Sequence, residues 1–289
     1  MSQTTTTIKP DSISAISNHH ASAVHQINRT IAFELKRNVK KFYNACLVNT
    51  IFVVLFYLIN FLLDRNAEEA SGYITSYLGM ISYLVLIIAI TFGGSMIVED
   101  FEKHTGNLLF PKIERGRLLV GRYAARFFYA SLSLGVYYLE IAIITSLNYD
   151  SLPVEMWYSY GWSLLYLNLV LSFTVLMSAL SKRIATASIM TMLFFLMVFT
   201  IINTILMYTE STVEPLFIIN YYSNIITACF NMPENRYSEI NFGPRGSNER
   251  VFLQWATPSV EGALIGMILY SAVLLIGAYL IYRTKQAKD

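Results

Sequence analysis

The sequence predicts an all-α integral membrane protein with six transmembrane helices, an N-terminal amphipathic interfacial helix and both termini in the cytoplasm. Three observations predict it: apolar stretches of membrane-spanning length recur, charged residues are scarce, and basic residues gather on alternate connections. The chain is 55% hydrophobic and only 14% charged, against about 25% charged residues in an average soluble domain. A lipid bilayer, and not water, is therefore the predicted surrounding of most of the chain.

Six apolar windows are each long enough as a helix to cross a hydrocarbon core of about 30 Å. Continuous runs such as IFVVLFYLINFLL favour helices over the period-two pattern of a membrane barrel, because a helix satisfies its own backbone hydrogen bonds. The predicted spans are 45–63, 77–98, 118–147, 159–180, 184–208 and 262–282.

The distribution of Lys and Arg predicts the orientation, because basic residues are retained on the cytoplasmic side during insertion. With six spans, all but four of the 21 basic residues fall in the two termini, in the connections on the same side or at the start of the third span. Both termini are therefore expected in the cytoplasm. The four exceptions are Arg65, Arg236, Arg245 and Arg250.

The part of the chain before the first span divides into two segments. Residues 1–26 are polar and predict a flexible tail, in which a solvated segment is favoured over a metal site at its histidines. Residues 27–44 carry apolar side chains at spacings of three and four, with basic side chains mostly elsewhere on the helix. This pattern predicts an interfacial helix on anionic lipid; nucleic-acid binding is disfavoured because the segment adjoins a span.

Residues 45–289 form the predicted six-helix transmembrane domain, with a cytoplasmic connection at 99–117 and a large outer loop at 209–261. The first part of that loop, 215–230, is apolar but short, so it is a candidate re-entrant helix, with a surface cap as the alternative. Cys46 and Cys229 are expected on opposite sides of the membrane, which argues against a disulfide between them.

The connection between the second and third spans, VEDFEKHTGNLLFPKIERGRLLVGR, is unusually charged. Its acids and His104 could be metal ligands or an acid and base pair, but charges also gather at a cytoplasmic helix end for topology alone. Gly106 and Pro111 interrupt helical structure, which predicts a short helix, a break and a new helix near Glu114.

The same stretch resembles the signature of type-2 ABC exporter permeases, and the resemblance extends to the topology of the whole chain. The signature is an acidic helix end, a Thr, a Leu pair, a Pro, an Arg and a hydrophobic run closed by Gly and a basic residue. His104 stands where Gly usually precedes the Thr, and Pro111 and Arg115 are four apart where three is commoner. The matching residues are Glu102, Thr105, Leu108, Leu109, Pro111, Arg115, Leu118, Leu119, Gly121 and Arg122.

The resemblance implies that this connection is a coupling element that docks into a separate ATPase and transmits its motion. The alternative is a solvated loop whose charges only fix the orientation. The implied ATPase-coupling residues are Glu99, Asp100, Phe101, Glu102, Thr105, Leu108, Leu109, Pro111 and Arg115.

The sequence contains no phosphate-binding loop, since no Gly-Lys pair occurs in it. We therefore expect no catalytic residue, metal or cofactor on this chain, with ATP and Mg²⁺ on the partner ATPase. The resemblance implies ABC ATPase subunits, a second permease chain in a homodimer or heterodimer, and the cytoplasmic membrane of a prokaryote; lipids are further partners. An ATP-independent membrane scaffold or assembly factor and a secondary carrier are the alternative functions.

Three polar residues within spans are candidates for the translocation path: Glu140, Asn168 and Asn203. An ionisable group inside a membrane is a functional candidate by default. A structural role is favoured for each: snorkelling or a hydrogen bond for Glu140, and a hydrogen bond to a neighbouring helix for the two Asn residues.

Overall fold

The computed structural model describes residues 23–62, 69–102, 114–149, 151–209, 213–242 and 250–285. Six helical stretches in these residues are long and apolar enough to cross a membrane, which confirms the predicted helical bundle. The elements in chain order are α1 (Ala23–Leu62), α2 (Ala70–Leu78), α3 (Ile81–Gly93), α4 (Val98–Glu102), α5 (Arg115–Asn148), α6 (Glu155–Leu180), α7 (Ile184–Leu193), α8 (Phe199–Tyr208), α9 (Asn224–Ala228), β1 (Tyr237–Phe242), β2 (Arg250–Trp255) and α10 (Val260–Thr284).

The core of the bundle lies around α6, which packs against α3 on one side and α10 on another, while α1 lies along α5. Gly93 of α3 makes the first of these contacts close, because a Cβ there would lie 3.0 Å from Leu171 and Thr174 of α6. The fifth span is continuous from α7 to α8 through a π-helical turn at Phe194–Val198. Each predicted span coincides with a helix within a few residues, except that α1 begins much earlier.

Helix α1 is one continuous helix that contains both the predicted interfacial segment, 27–44, and the predicted first span. Its buried positions recur every four residues at Thr30, Glu34 and Asn38, and again at Asn49. A spacing of four places these side chains on one face. The N-terminal half of α1 therefore presents a polar stripe to the bundle, between apolar side chains that are half-buried.

The candidate re-entrant segment, 215–230, contains a 3₁₀ turn at Ile219–Ser223 followed by the short helix α9. Strands β1 and β2 then form an antiparallel hairpin in which Tyr237 pairs with Trp255. This hairpin departs from the all-helical prediction. Eight residues separate it from α9. Together with residues 213–230 it forms what we call the outer cap, a name taken from the side of the membrane that the sequence predicts for it.

Candidate functional site: a buried charge cluster

Seven charged side chains meet where α1, α4 and α5 converge, at the end of the bundle that carries the 99–117 connection. Two are one helical turn apart on α5, two are adjacent on α4, and three lie on α1. Gly121 lets α1 and α5 approach closely, because a Cβ there would lie 2.8 Å from that of Thr30. The charge cluster consists of Glu34, Arg37, Lys41, Glu99, Asp100, Arg122 and Arg126.

Asp100 and Arg122 form a two-pronged ion pair at the centre of the charge cluster. The guanidinium NH1 lies 2.6 Å from one carboxylate oxygen, and NH2 lies 2.9 Å from the other. The hydroxyl of Tyr282 donates to the same carboxylate at 2.7 Å, and Asp100 is only 2% exposed. One carboxylate therefore joins α4, α5 and the last turn of α10.

Glu34 of α1 is surrounded by three arginines. Its carboxylate oxygens lie 2.8 Å from Arg37, 3.3 Å from Arg122 and 3.3 Å from Arg126. The Asn38 side chain donates to it at 2.9 Å. Since Glu34 is 1% and Arg126 0% exposed, these contacts lie away from solvent.

Glu99 and Ser95 connect the charge cluster to the end of the second span. Glu99 lies 3.3 Å from Arg37 and 3.6 Å from Arg126. The Ser95 hydroxyl accepts from Lys41 at 2.8 Å and from Arg126 at 3.1 Å. Arg126 also donates to the carbonyl of Phe92 at 2.8 Å, so the second span is held to α1 and α5 by side-chain and backbone contacts.

The balance of four cations and three carboxylates explains how these charges can be buried together. A buried charge is costly unless it is paired and hydrogen-bonded, and every member of the charge cluster contacts a group of opposite charge or a polar oxygen. Removing one member leaves another charge buried without compensation. The charge cluster thus favours one relative arrangement of α1, α4 and α5.

The acids of the metal-site alternative have separate partners in the structure, and His104 lies outside the described residues. Glu99 and Asp100 turn to different arginines, and Glu102 accepts a hydrogen bond from the backbone of Ile184 at 2.8 Å. No group of three His, Cys, Asp or Glu side chains is placed to hold a metal ion in the part of the chain that the structure describes. The carboxylates serve three separate junctions.

Two other predicted coupling residues contact the C-terminal end of α10. The Phe101 ring meets Tyr282 edge to face at 6.1 Å, and the Lys285 ammonium lies 4.7 Å from the same ring. Arg115 donates to the carbonyls of residues 282, 283 and 285, at 2.8 to 3.1 Å. A cation at the end of a helix satisfies carbonyls that lack partners within the helix.

Four of the predicted coupling residues, Thr105, Leu108, Leu109 and Pro111, lie outside the described residues. The five that are described contact other parts of this chain. Contact with an ATPase stays a prediction for all nine.

The three candidate path residues are separated in the structure. Glu140 accepts a hydrogen bond from Thr50 at 2.6 Å, between α5 and α1, and Asn168 accepts one from Tyr123 at 2.7 Å, between α6 and α5. Asn203 lines a small cavity beneath Trp255 of the outer cap. The first two therefore join helices, and a place on a path stays a prediction.

Sequence reasoning missed Glu34, Asn38 and Arg126 as members of a site. It counted Arg126 only as an orientation signal. The missed signal was the spacing of four, which puts Glu34 and Asn38 on one face of α1 and Arg122 and Arg126 on one face of α5.

The sequence model of a family described as ABC-2 family transporter protein matches residues 3–280. No curated protein sequence matches the chain. The family match covers nearly all of the 289 residues, so it includes the charge cluster, the first five spans and most of α10. The chain belongs to the ABC-2 transporter family and is a multi-pass membrane permease component of an ABC transporter.

Proposed function

We propose that this permease exports a substrate across the cytoplasmic membrane of a prokaryote, using ATP hydrolysed with Mg²⁺ on separate ATPase subunits. Two permease chains form the transport unit, and both termini of each lie in the cytoplasm. The substrate passes between states of the bundle that open to opposite sides, and this chain supplies the path and the mechanical linkage.

The observation that carries the proposal is the joining of α4 to the rest of the bundle. Within five residues, Asp100 binds α5 and α10, Glu99 binds α1, and Glu102 binds the start of α7. A force applied to the connection that follows α4 therefore reaches four other helices directly. A solvated loop with charges for orientation alone would not need buried partners.

The contacts of α4 differ in how easily they separate. The Asp100–Arg122 pair is buried, so pulling it apart would leave two uncompensated charges. Glu99 keeps its 3.6 Å contact to the buried Arg126, but its contact to Arg37 involves a partly exposed side chain, and Glu102 is itself exposed. At these two exposed contacts, water replaces a lost partner at little cost. We infer that α4, α5 and the end of α10 move together, while the contacts to Arg37 and to α7 open and close.

Purification of the tagged chain from its native membrane, followed by photolabelling with an azido-ATP analogue, tests the partner. We expect the label on a separate co-purifying chain and ATP hydrolysis by the preparation. Labelling of this chain itself, or the absence of any ATP-binding partner, would contradict the proposal, and the second result would favour a scaffold.

Substitution within the connection tests the coupling. Leu108→Ala combined with Phe101→Ala is expected to reduce both co-purification of the ATPase and its stimulated activity. Leu152→Ala is the matched control, because Leu152 is a similarly apolar, 41% exposed side chain at the other end of the bundle. Equal activity and recovery in all variants would remove the coupling role from this connection.

A further inference from the structure

An apolar groove of about 520 Å³ lies between the first turns of α5 and the last turns of α10. Its walls include Leu119, Val120 and Ala124 on α5, and Ile276 and Tyr279 on α10. Val120 and Ile276 are more than half exposed, so the groove opens on the outer surface of the bundle. None of the residues of the charge cluster lines it.

The end of the groove nearest the C-terminus of the chain is positively charged. Arg115, beside the groove residue Gly116, bridges from α5 to the last carbonyls of α10 and so fixes a cation between the two helices. The exposed Arg283 lies four residues beyond Tyr279, on the same face of α10. The groove is thus apolar along its length and cationic at one end.

Tyr279 supplies a polar group where the apolar and charged parts meet. Its ring lies against Gly116, where a Cβ would come 3.3 Å from the ring and 3.6 Å from the hydroxyl oxygen. Its hydroxyl makes no hydrogen bond to any other described residue. Tyr is favoured at the headgroup level of a membrane, where its ring stays in apolar surroundings and its hydroxyl reaches polar groups.

We propose that this groove is a binding site for an anionic phospholipid of the cytoplasmic leaflet. One acyl chain lies along the groove, and the headgroup phosphate lies near Arg115, Arg283 and the Tyr279 hydroxyl. From Gly116 to Ala124 the groove runs about 12 Å along α5, which fits one leaflet of a hydrocarbon core about 30 Å thick. Basic sites between spans on the cytoplasmic side suit anionic headgroups.

The site offers a means by which membrane composition acts on the transporter. Arg115 binds the end of α10, and Tyr282 in that same end donates to Asp100 of the charge cluster. A lipid that bridges α5 and α10 stabilises the arrangement in which these contacts form. The proposal rests on the cytoplasmic placement of this end in the proposed function, but lipid binding needs no ATPase.

Native mass spectrometry of the complex purified in detergent, after incubation with phosphatidylglycerol or phosphatidylcholine, tests the site. We expect one phosphatidylglycerol retained per permease chain in preference to phosphatidylcholine. Ala124→Trp fills the groove and should lower retention about tenfold, the effect of losing about two methylene contacts. Leu132→Trp is the matched control, two turns further along the same exposed ridge of α5.

The headgroup is tested separately. Arg283→Gln should lower the preference for phosphatidylglycerol about fivefold, as expected for one basic side chain near an anionic membrane surface, whereas Arg183→Gln, at the exposed start of α7, should not. Excess inorganic phosphate should not displace the lipid.

Three outcomes would overturn the lipid site. They are equal retention in the two Trp variants, equal retention of the two lipids by the unmodified complex, and displacement by phosphate alone. A change of oligomeric state in Ala124→Trp without lipid loss would assign the groove to a second copy of the chain instead. Loss of lipid with normal ATP hydrolysis supports the lipid site, so failure of either proposal is seen independently of the other.

Discussion

The two ends of the bundle are held together by different chemistry. At the end that carries α4, helices meet through the buried charge cluster, centred on Asp100, Arg122 and Glu34. At the end that carries the outer cap, they meet through neutral hydrogen bonds: the Tyr138 hydroxyl lies 2.9 Å from that of Ser159 and 2.6 Å from that of Ser163, and Ser159 donates to the carbonyl of Ile226. The outer cap is joined to α5 and α6 without a buried ion pair among these groups.

This difference predicts unequal resistance to movement. Separating one partner of a buried ion pair costs about 3–5 kcal/mol, whereas a neutral hydrogen bond contributes about 0.5–1.5 kcal/mol net. Hydroxyl groups also rotate to find new partners, and carbonyls can accept from water. We therefore expect the buried ion pairs of the charge cluster to move as a unit and the capped end to rearrange within itself.

The largest expected effect is that of Arg122→Gln. It leaves Asp100 without its two-pronged partner and takes one cation from Glu34, so we expect a loss of about 3–5 kcal/mol in the free energy of unfolding. Denaturation of the detergent-solubilised protein, followed by circular dichroism, measures it.

Arg117→Gln is the matched control for Arg122→Gln. Arg117 lies five residues earlier on the same helix and pairs with the exposed Glu114 at 3.0 Å, so about 0–1 kcal/mol is expected. Equal losses in the two variants would show that burial of the charge cluster does not increase the contribution of its ion pairs to the free energy of unfolding. The double variant Arg122→Gln with Asp100→Asn should recover part of the loss, because the orphaned charge is then gone.

A smaller effect is expected at the capped end. Tyr138→Phe keeps the ring and removes the hydroxyl shared by Ser159 and Ser163, which should cost about 1–2 kcal/mol in the same measurement. Tyr158→Phe serves as its control, because Tyr158 is 65% exposed and should change little. A loss at Tyr138 as large as that at Arg122 would abolish the contrast between the two ends.

The smallest effect concerns the reactivity of Cys229 and leaves stability unchanged. Burial raises the pKa of the Cys229 thiol from 9.0 to about 11. Since only the thiolate reacts, labelling by a membrane-impermeant maleimide at pH 8 should be about a hundredfold slower than at an exposed thiol, and it should still rise between pH 9 and 10.

The comparison for Cys229 is a protein in which the exposed Ser151 is replaced by Cys and both native cysteines by Ser. Its labelling should level off as the pH passes about 9. Equal rates at the two sites would show that the cap opens readily around Cys229. Labelling of intact cells at both positions also tests their proposed location on the extracellular side of the membrane.

The helices of this fold could be predicted from the sequence because each span must satisfy its own backbone and face lipid. Length and hydropathy alone then located α5 and α6 within a few residues. The β hairpin was not predicted, since its two strands, 237–242 and 250–255, are short and mix polar with apolar side chains without a regular alternation. Their pairing depends on contacts between residues distant in the chain, such as the tilted rings of Tyr237 and Trp255, whose centroids lie 5.1 Å apart.

The charge cluster could be predicted only in part, because its contacts also join residues distant in the chain. The local concentration of charged residues singled out Glu99 and Asp100, but it does not reveal which residues they contact. Asp100 meets Tyr282 across a separation of 182 residues, and Glu34 meets Arg126 across 92, so only the packed bundle brings them together. Polar residues repeating every four positions within an apolar helix are the local sign that remains.

The uninterrupted length of α1 has a mechanical consequence. Its 40 residues form a rod about 60 Å long, gripped by Arg122 and Arg126 at Glu34 near one end and by Ser133 at Asn49 further along. If α1 and α5 tilted together by about 5° about the first of these contacts, the far tip of α1 would move by roughly 4 Å, somewhat less than the helical pitch of about 5.4 Å. A small rotation near Glu34, at one membrane face, would thereby displace the other end of α1 at the opposite face.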